Sequence, residues 1–164
     1  MNIFFLDRYP HVAARYHCDK HVVKMIIETA QLLSTAHRVL DGDNYADSHG
    51  LYKRTHENHP CAMWARASMW NYRWLWSLLS GLCAEYTLRY GKTHATERML
   101  DSLRLQPHNI PVGYAVDPPQ CMPDEYKHLS AVSAYRAFYS GDKRRFAAWN
   151  HGPKPDWWED APCS

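Results

Sequence analysis

The stretch from Asp19 to Leu40 constrains this chain more than any other. Val22, Ile26, Leu33, Ala36 and Leu40 recur at helical spacing and share one apolar face, and Asp41-Gly42-Asp43 follows as a stop. A helix of that length needs a core to lie against. Asn58-His59-Pro60 reads as a second start, with proline tolerated in the first turn, and the helix behind it is expected to run to about Tyr90 before Gly91 ends it. That segment carries Trp64, Trp70, Trp74 and Trp76 and is apolar around much of its circumference, so it is expected to be the buried central helix. Further helices are expected over Thr96–Leu105, Ser130–Tyr139 and Asp142–Trp149. Asn44 to Asn58 reads as a loop or short helix. Glycine is sparse, at 7 residues, which disfavours an architecture of tight hairpins.

The expectation is a mainly α, single-domain compact helical bundle spanning residues 1–164. Met1 to Leu6 forms a short apolar strand or extended arm, and Asp7 is placed to cap a helical turn near Pro10. Residues 107–123 hold Pro107, Pro111, Gly113, Pro118, Pro119 and Pro123, so no continuous helix can cross them. Ordered loops of this length are uncommon and often functional. Residues 150–164 form an irregular, acidic and aromatic tail around Trp157-Trp158.

Composition removes several classes. With 46% apolar and 13% aromatic residues the chain can bury a core and is not disordered. A net charge of +2 excludes a globally basic nucleic-acid coat, although the body is more basic than the whole because the tail carries Asp156, Glu159 and Asp160. The five cysteines, Cys18, Cys61, Cys83, Cys121 and Cys163, are odd in number and widely spaced, which fits reduced thiols better than a disulfide scaffold. No leader-like segment opens the chain, and no apolar run approaches the roughly 18 residues that span a bilayer. A soluble, cytoplasmic protein with no membrane partner is expected. Neither a glycine-rich phosphate loop nor a Gly-x-Ser-x-Gly elbow occurs.

Three residue groups are candidates for chemistry. His17, His21, Lys24, Glu28, Gln31, Thr35 and Arg38 follow steps of three and four. At about 100° per residue, His21 and Glu28 fall within about 20° of each other, so an imidazole, an ammonium and a carboxylate share one line. Such a set suits general acid–base work; a solvated helix face is the competing reading. A metal reading rests on His17 and His21 at i,i+4, adjacent Cys18, and His59, with zinc as the cofactor if one is bound. His56, His59 and Cys61 form a second group that folding could gather. Finally, Arg136, Lys143, Arg144 and Arg145 interleave with Tyr135, Phe138, Tyr139, Phe146 and Trp149, a pattern suited to phosphate contact beside stacking rings. Trp157 and Trp158 either dock back on the body or cover a ligand. An amphipathic helix with its rings in the core is the alternative for the basic cluster.

The strings Tyr16-His17-Cys18-Asp19-Lys20-His21, Asn58-His59-Pro60, Asn71-Tyr72-Arg73-Trp74 and Met122-Pro123-Asp124-Glu125-Tyr126-Lys127 resemble those of small tailed-phage proteins that carry no assigned activity. More distantly, the chain resembles the pyrimidine-dimer DNA glycosylase/AP lyase family, the phage endonuclease V enzymes. The carriers are Asp19-Lys20-His21-Val22 with Glu28 seven residues after the histidine, His59-Pro60 leading into a long helix, Glu85-Tyr86 with Arg89-Tyr90-Gly91, and the aromatic tail. The resemblance implies a small helical enzyme acting on DNA. In it, the N-terminal amine attacks the sugar carbon to give a Schiff base, and the helix carboxylate, here Glu28, assists deprotonation and strand cleavage. An α-amine, with an ordinary pKa of about 7.7–8.0, supplies free base near neutral pH. Two positions depart. The family exposes a small residue after removal of Met, whereas Asn2 is large and Met1 is expected to remain as the amine donor. The family's arginine before the glutamate is Ile27 here.

The expected function is therefore a DNA-acting, base-excision glycosylase/AP lyase or related base modifier. Its catalytic residues would be Glu28, His21 and Met1, and its nucleic-acid contacts Lys24, Arg136, Lys143, Arg144, Arg145, Trp157 and Trp158. The alternatives are a metal-dependent hydrolase using His17, Cys18, His21 and His59, or a non-enzymatic phage protein that binds a host partner.

Overall fold

The structure is a computed structural model that describes residues 1–159. Among these residues there are seven α-helices and no strand: α1 (Pro10–Tyr16), α2 (Asp19–Asp41), α3 (Asp43–Ser48), α4 (Pro60–Ala65), α5 (Met69–Tyr90), α6 (Leu100–Arg104) and α7 (Ala131–Ser140). The long helices α2 and α5 pack on each other, and α1 lies against α5. The close α1–α5 approach needs Gly81, since a Cβ there would meet the Ala14 side chain at 2.9 Å. The tail expected beyond residue 159, including Asp160 and Cys163, lies outside the described residues.

Helix α2 begins where expected and ends at Gly42, whose φ of 80° is left-handed. Its apolar face is buried as the spacing requires. The helix expected to start at Pro60 is instead two helices, broken at residues 66–68. Ser68 caps a new start by accepting from the Asn71 amide at 3.2 Å, and the Asn71 side chain donates to the Trp64 carbonyl at 3.0 Å. The Pro-rich loop wedges in at the same place: the Pro111 carbonyl accepts from the Met69 amide at 2.8 Å. Gly113 carries a φ of 52° there and packs directly on Ser68.

The tryptophans of this region are not all core. Trp64 is buried, Trp74 and Trp76 are half-buried, and Trp70 is exposed. Their amphipathic character explains the arrangement, because an indole at the rim can bury its ring and still donate its N–H. Trp64, Trp74 and Trp76 donate to the carbonyls of Val116, Arg8 and Leu100 at 2.8–3.0 Å, so each staples another segment to the helix pair.

Residues 142–149, expected as a helix, form successive turns. The chain leaves helical geometry because it must reach α2: the Ala148 carbonyl accepts from the Asp19 amide at 2.9 Å. Asp7 does not cap α1, which starts after Tyr9; its carboxylate accepts from the Tyr9 amide at 2.9 Å. The end of α5 is anchored by Arg89, whose fully buried guanidinium reaches Asp19 at 3.1 Å, Glu85 at 3.0 Å and the carbonyls of Arg15 and His17. That network fixes where α2 begins. No described helix is long and apolar enough to cross a membrane.

Candidate active site

The N-terminal arm decides the site. Ile3, Phe4, Phe5 and Leu6 are buried in an irregular arm that turns at Phe5, where the Leu6 amide donates to the Phe4 carbonyl at 2.9 Å, and residues 1 and 2 lie beside the middle of α2. Asn2 is the pin. Its side-chain amide donates to the Cys121 carbonyl at 2.9 Å and accepts from the Tyr135 hydroxyl at 2.9 Å. Its backbone N–H donates to Glu28 Oε2 at 3.3 Å. Among the described residues Glu28 is the only carboxylate lining this cleft, and it lies beside Met1 and Asn2.

Around that pair lies a cleft of about 430 Å³ lined by Met1, Phe4, His21, Lys24 and Glu28, with Phe138, Lys143, Arg145 and Phe146 closing it from the C-terminal third. Lys24 reaches Glu28 Oε1 at 3.3 Å, one turn earlier on α2. Three basic side chains and the N-terminal residue face a single acid, so the cleft attracts anions. Phe4, Phe138 and Phe146 supply flat apolar walls between the charges.

His21 is neutral here. Burial, reinforced by the positive charges of Lys143 and Lys24, pushes its pKa down to about 3. Its ring stacks on Phe4 with centroids 4.4 Å apart. Nδ1 lies 2.7 Å from the Tyr139 hydroxyl, which already accepts from the Cys18 amide at 3.0 Å. When the hydroxyl donates to Nδ1, Nε2 carries the imidazole hydrogen and is the ring's donor. His17, four residues earlier, is fully buried and has its pKa lowered to about 4, first by burial and then by Arg89. Its Nδ1 donates to the Ala13 carbonyl at 2.7 Å.

The other sequence candidates divide. Lys143 and Arg145 line the cleft, whereas Arg136, Arg144, Trp157 and Trp158 are engaged within the fold. Arg136 pairs with Asp7 at 3.1 Å and donates to the Leu6 carbonyl. Arg144 donates to the Ser140 and Glu159 carbonyls. Trp158 is buried, and both tail indoles pack around Tyr139, with Arg136 over the Trp157 ring and Arg144 over that of Trp158. Of the two fates open to the tail indoles, they dock back on the body. The α2 stripe is solvated only in part: His17, His21, Thr35 and Arg38 are buried, Glu28 and Gln31 half-buried, and Lys24 exposed.

The proposed ligand set of His17, Cys18, His21 and His59 does not converge. The two α2-end histidines are committed to Ala13 and Tyr139, and Cys18 is enclosed in the core. Among the described residues the ligand atoms that meet are those of His59, Cys61 and Cys121, all within 4.8 Å of one another. Sequence reasoning missed Cys121, and it missed Phe4 and Tyr139 as supports of His21. Only Tyr139 left a signal, as a member of the aromatic and basic cluster.

Fold and cleft together define an all-α protein in which Met1 and one helix carboxylate line an anion-attracting site. Residues 1–98 match the pyrimidine dimer DNA glycosylase family, and the chain belongs to that family. The match covers the arm, α1 to α5, and the candidate residues Met1, His21, Lys24 and Glu28. Its function is accordingly of the DNA-repair glycosylase type, with DNA as the substrate class. No curated protein and no solved structure matches the chain.

Proposed function

We propose that this protein is a bifunctional glycosylase/AP lyase in which the Met1 α-amine is the nucleophile and Glu28 the carboxylate that moves protons. The supporting observation is the Asn2 N–H···Glu28 bond of 3.3 Å, which keeps the carboxylate beside the amine inside the cleft. The amine attacks C1′ of the damaged nucleoside; the N–C1′ bond forms as the glycosidic bond breaks and the base leaves. Opening of the sugar ring gives the Schiff base. Glu28 then takes a proton from C2′, the C3′–O bond to phosphate breaks, and water releases the amine. Lys24, Lys143 and Arg145 hold the flanking phosphates, and Ile27 contributes no charge to that set.

Neutral His21 serves as a positioning group whose Nε2–H faces a sugar or base oxygen. Its low pKa fits it for donation without titrating at working pH. The cleft volume suits one extrahelical nucleotide rather than a duplex, so a base would have to leave the stack to reach it.

The test is borohydride trapping on DNA containing an abasic site. Wild-type protein is expected to give a covalent adduct, and acetylating the N-terminal amine is expected to abolish it. Glu28→Gln should lower strand cleavage by about 10²–10⁴-fold, the range of a lost general base, while the chain still folds. Absence of any wild-type adduct sinks the amine mechanism.

A further inference from the structure

His59 and Cys61 sit at the start of α4, and Cys121 lies in the Pro-rich loop. The amine chemistry uses none of them. His59 is the N-cap, with Nδ1 accepting from the Cys61 amide at 3.1 Å. The two thiols touch, Sγ to Sγ at 3.7 Å. That contact is weak as a hydrogen bond, and the same Cys61 sulfur lies 3.7 Å from Asn2 Oδ1.

We propose that His59, Cys61 and Cys121 form a zinc(II) site at the wall of the cleft, with the fourth coordination position left to solvent. A tetrahedral zinc with Zn–S of about 2.3 Å holds its two sulfurs about 3.8 Å apart, so these thiols need hardly move. Two thiolates and an imidazole are a soft set that favours zinc over magnesium or calcium. Asn2 Oδ1 is not the fourth ligand, because it already accepts from the Tyr135 hydroxyl and the Ile3 amide, each at 2.9 Å. Cys121 lines the cleft and His59 is half-exposed, which gives the ion a path in and leaves room for water.

Binding releases both thiol protons to solvent, so the ion and its two thiolates are together neutral. It also removes the present cap, since a zinc-bound His59 no longer accepts from the Cys61 amide through Nδ1. In exchange, zinc ties the loop that holds Asn2 to the first turn of α4. The site is independent of the lyase reading and is tested without DNA.

Reduced, metal-free full-length protein is titrated with zinc(II) and, separately, cobalt(II). One equivalent of either is expected to bind, cobalt giving a thiolate-to-metal charge-transfer band of tetrahedral type, and zinc raising the Tm. Cys121→Ser, at a half-exposed position, should keep the circular dichroism of the wild type and weaken binding by at least about 100-fold. His56→Ala, an exposed neighbour, should leave binding unchanged. If cobalt gives no thiolate band with the wild type, or Cys121→Ser retains it, the proposal fails. Where Cys121→Ser does not fold, His59→Ala read by zinc competition against a chelating dye decides in the same sense.

Discussion

The polar stripe of α2 has two ends, both built from polar side chains at steps of three and four, and they behave differently. Toward its N-terminal end, His21, Lys24 and Glu28 open onto the cleft beside the chain terminus. Toward the C-terminal end, Arg38 is buried and fully partnered: to Asp43 at 2.7 Å, Asp47 at 2.8 Å and the carbonyls of Tyr52 and Leu51. Thr35 likewise exchanges hydrogen bonds with the Thr55 backbone. A polar group whose bonding capacity is met inside the protein holds structure together. One that keeps a free face toward a cleft can do chemistry.

The widest separation between the two ends should appear in activity. Glu28→Gln is expected to remove most strand cleavage, as above, yet to change stability by less than about 0.5 kcal/mol, because the amide still accepts from Asn2. Equal losses of stability and activity would show that Glu28 acts as Arg38 does. Arg38→Ala should do the reverse. It strands the Leu51 and Tyr52 carbonyls and costs about 2–3 kcal/mol, while the half-exposed Asp43 and Asp47 turn to water. Urea unfolding measures the loss, and cleavage per folded molecule should stay near wild type.

Acid should act on the N-terminal end first. His17 and His21 have folded pKa values of about 4 and 3, below the ordinary 6.5. The unfolded chain therefore takes up protons first as pH falls. Their contribution is fully present above about pH 6.5 and is lost progressively as pH falls from there through 4 and 3. Denaturant midpoints between pH 7 and 4 test this; a flat profile would mean that these rings are not held neutral. The smallest effect belongs to Lys24→Ala, which should weaken DNA binding uniformly across sequences and reduce the salt slope of log K by about 1. The same change at Arg144 should leave the slope alone, because its guanidinium is already spent on the Ser140 and Glu159 carbonyls.

Much of this was legible in the chain itself. The His21–Glu28 alignment follows from helix periodicity, and α2 obeys it. The stop at Gly42, the helix start at His59-Pro60 and the irregular Pro-rich loop are equally local. The break at residues 66–68 was not legible, because Ser68 becomes a cap only when Pro111 and Gly113 press against it from more than forty residues away. The tryptophan-rich helix misled for a related reason: composition reports apolar area but not which indoles reach a carbonyl at the rim. In the basic cluster, Lys143 and Arg145 could not be told from Arg136 and Arg144. The division depends on which way α7 and the turns after it face.

Helix α2, its stop at Gly42, the start at His59-Pro60 and the single stripe were determined by the sequence alone, since each rests on contacts within a few residues. The cleft was decided only by tertiary structure. Asn2 reaches Glu28, and Met1 the same cleft, because Phe4 and its neighbours are buried and because Asn2 bonds to Cys121 and Tyr135, over 100 residues away. Bringing such distant segments together requires the collective burial of a core to outweigh chain entropy, and no local pattern encodes that balance.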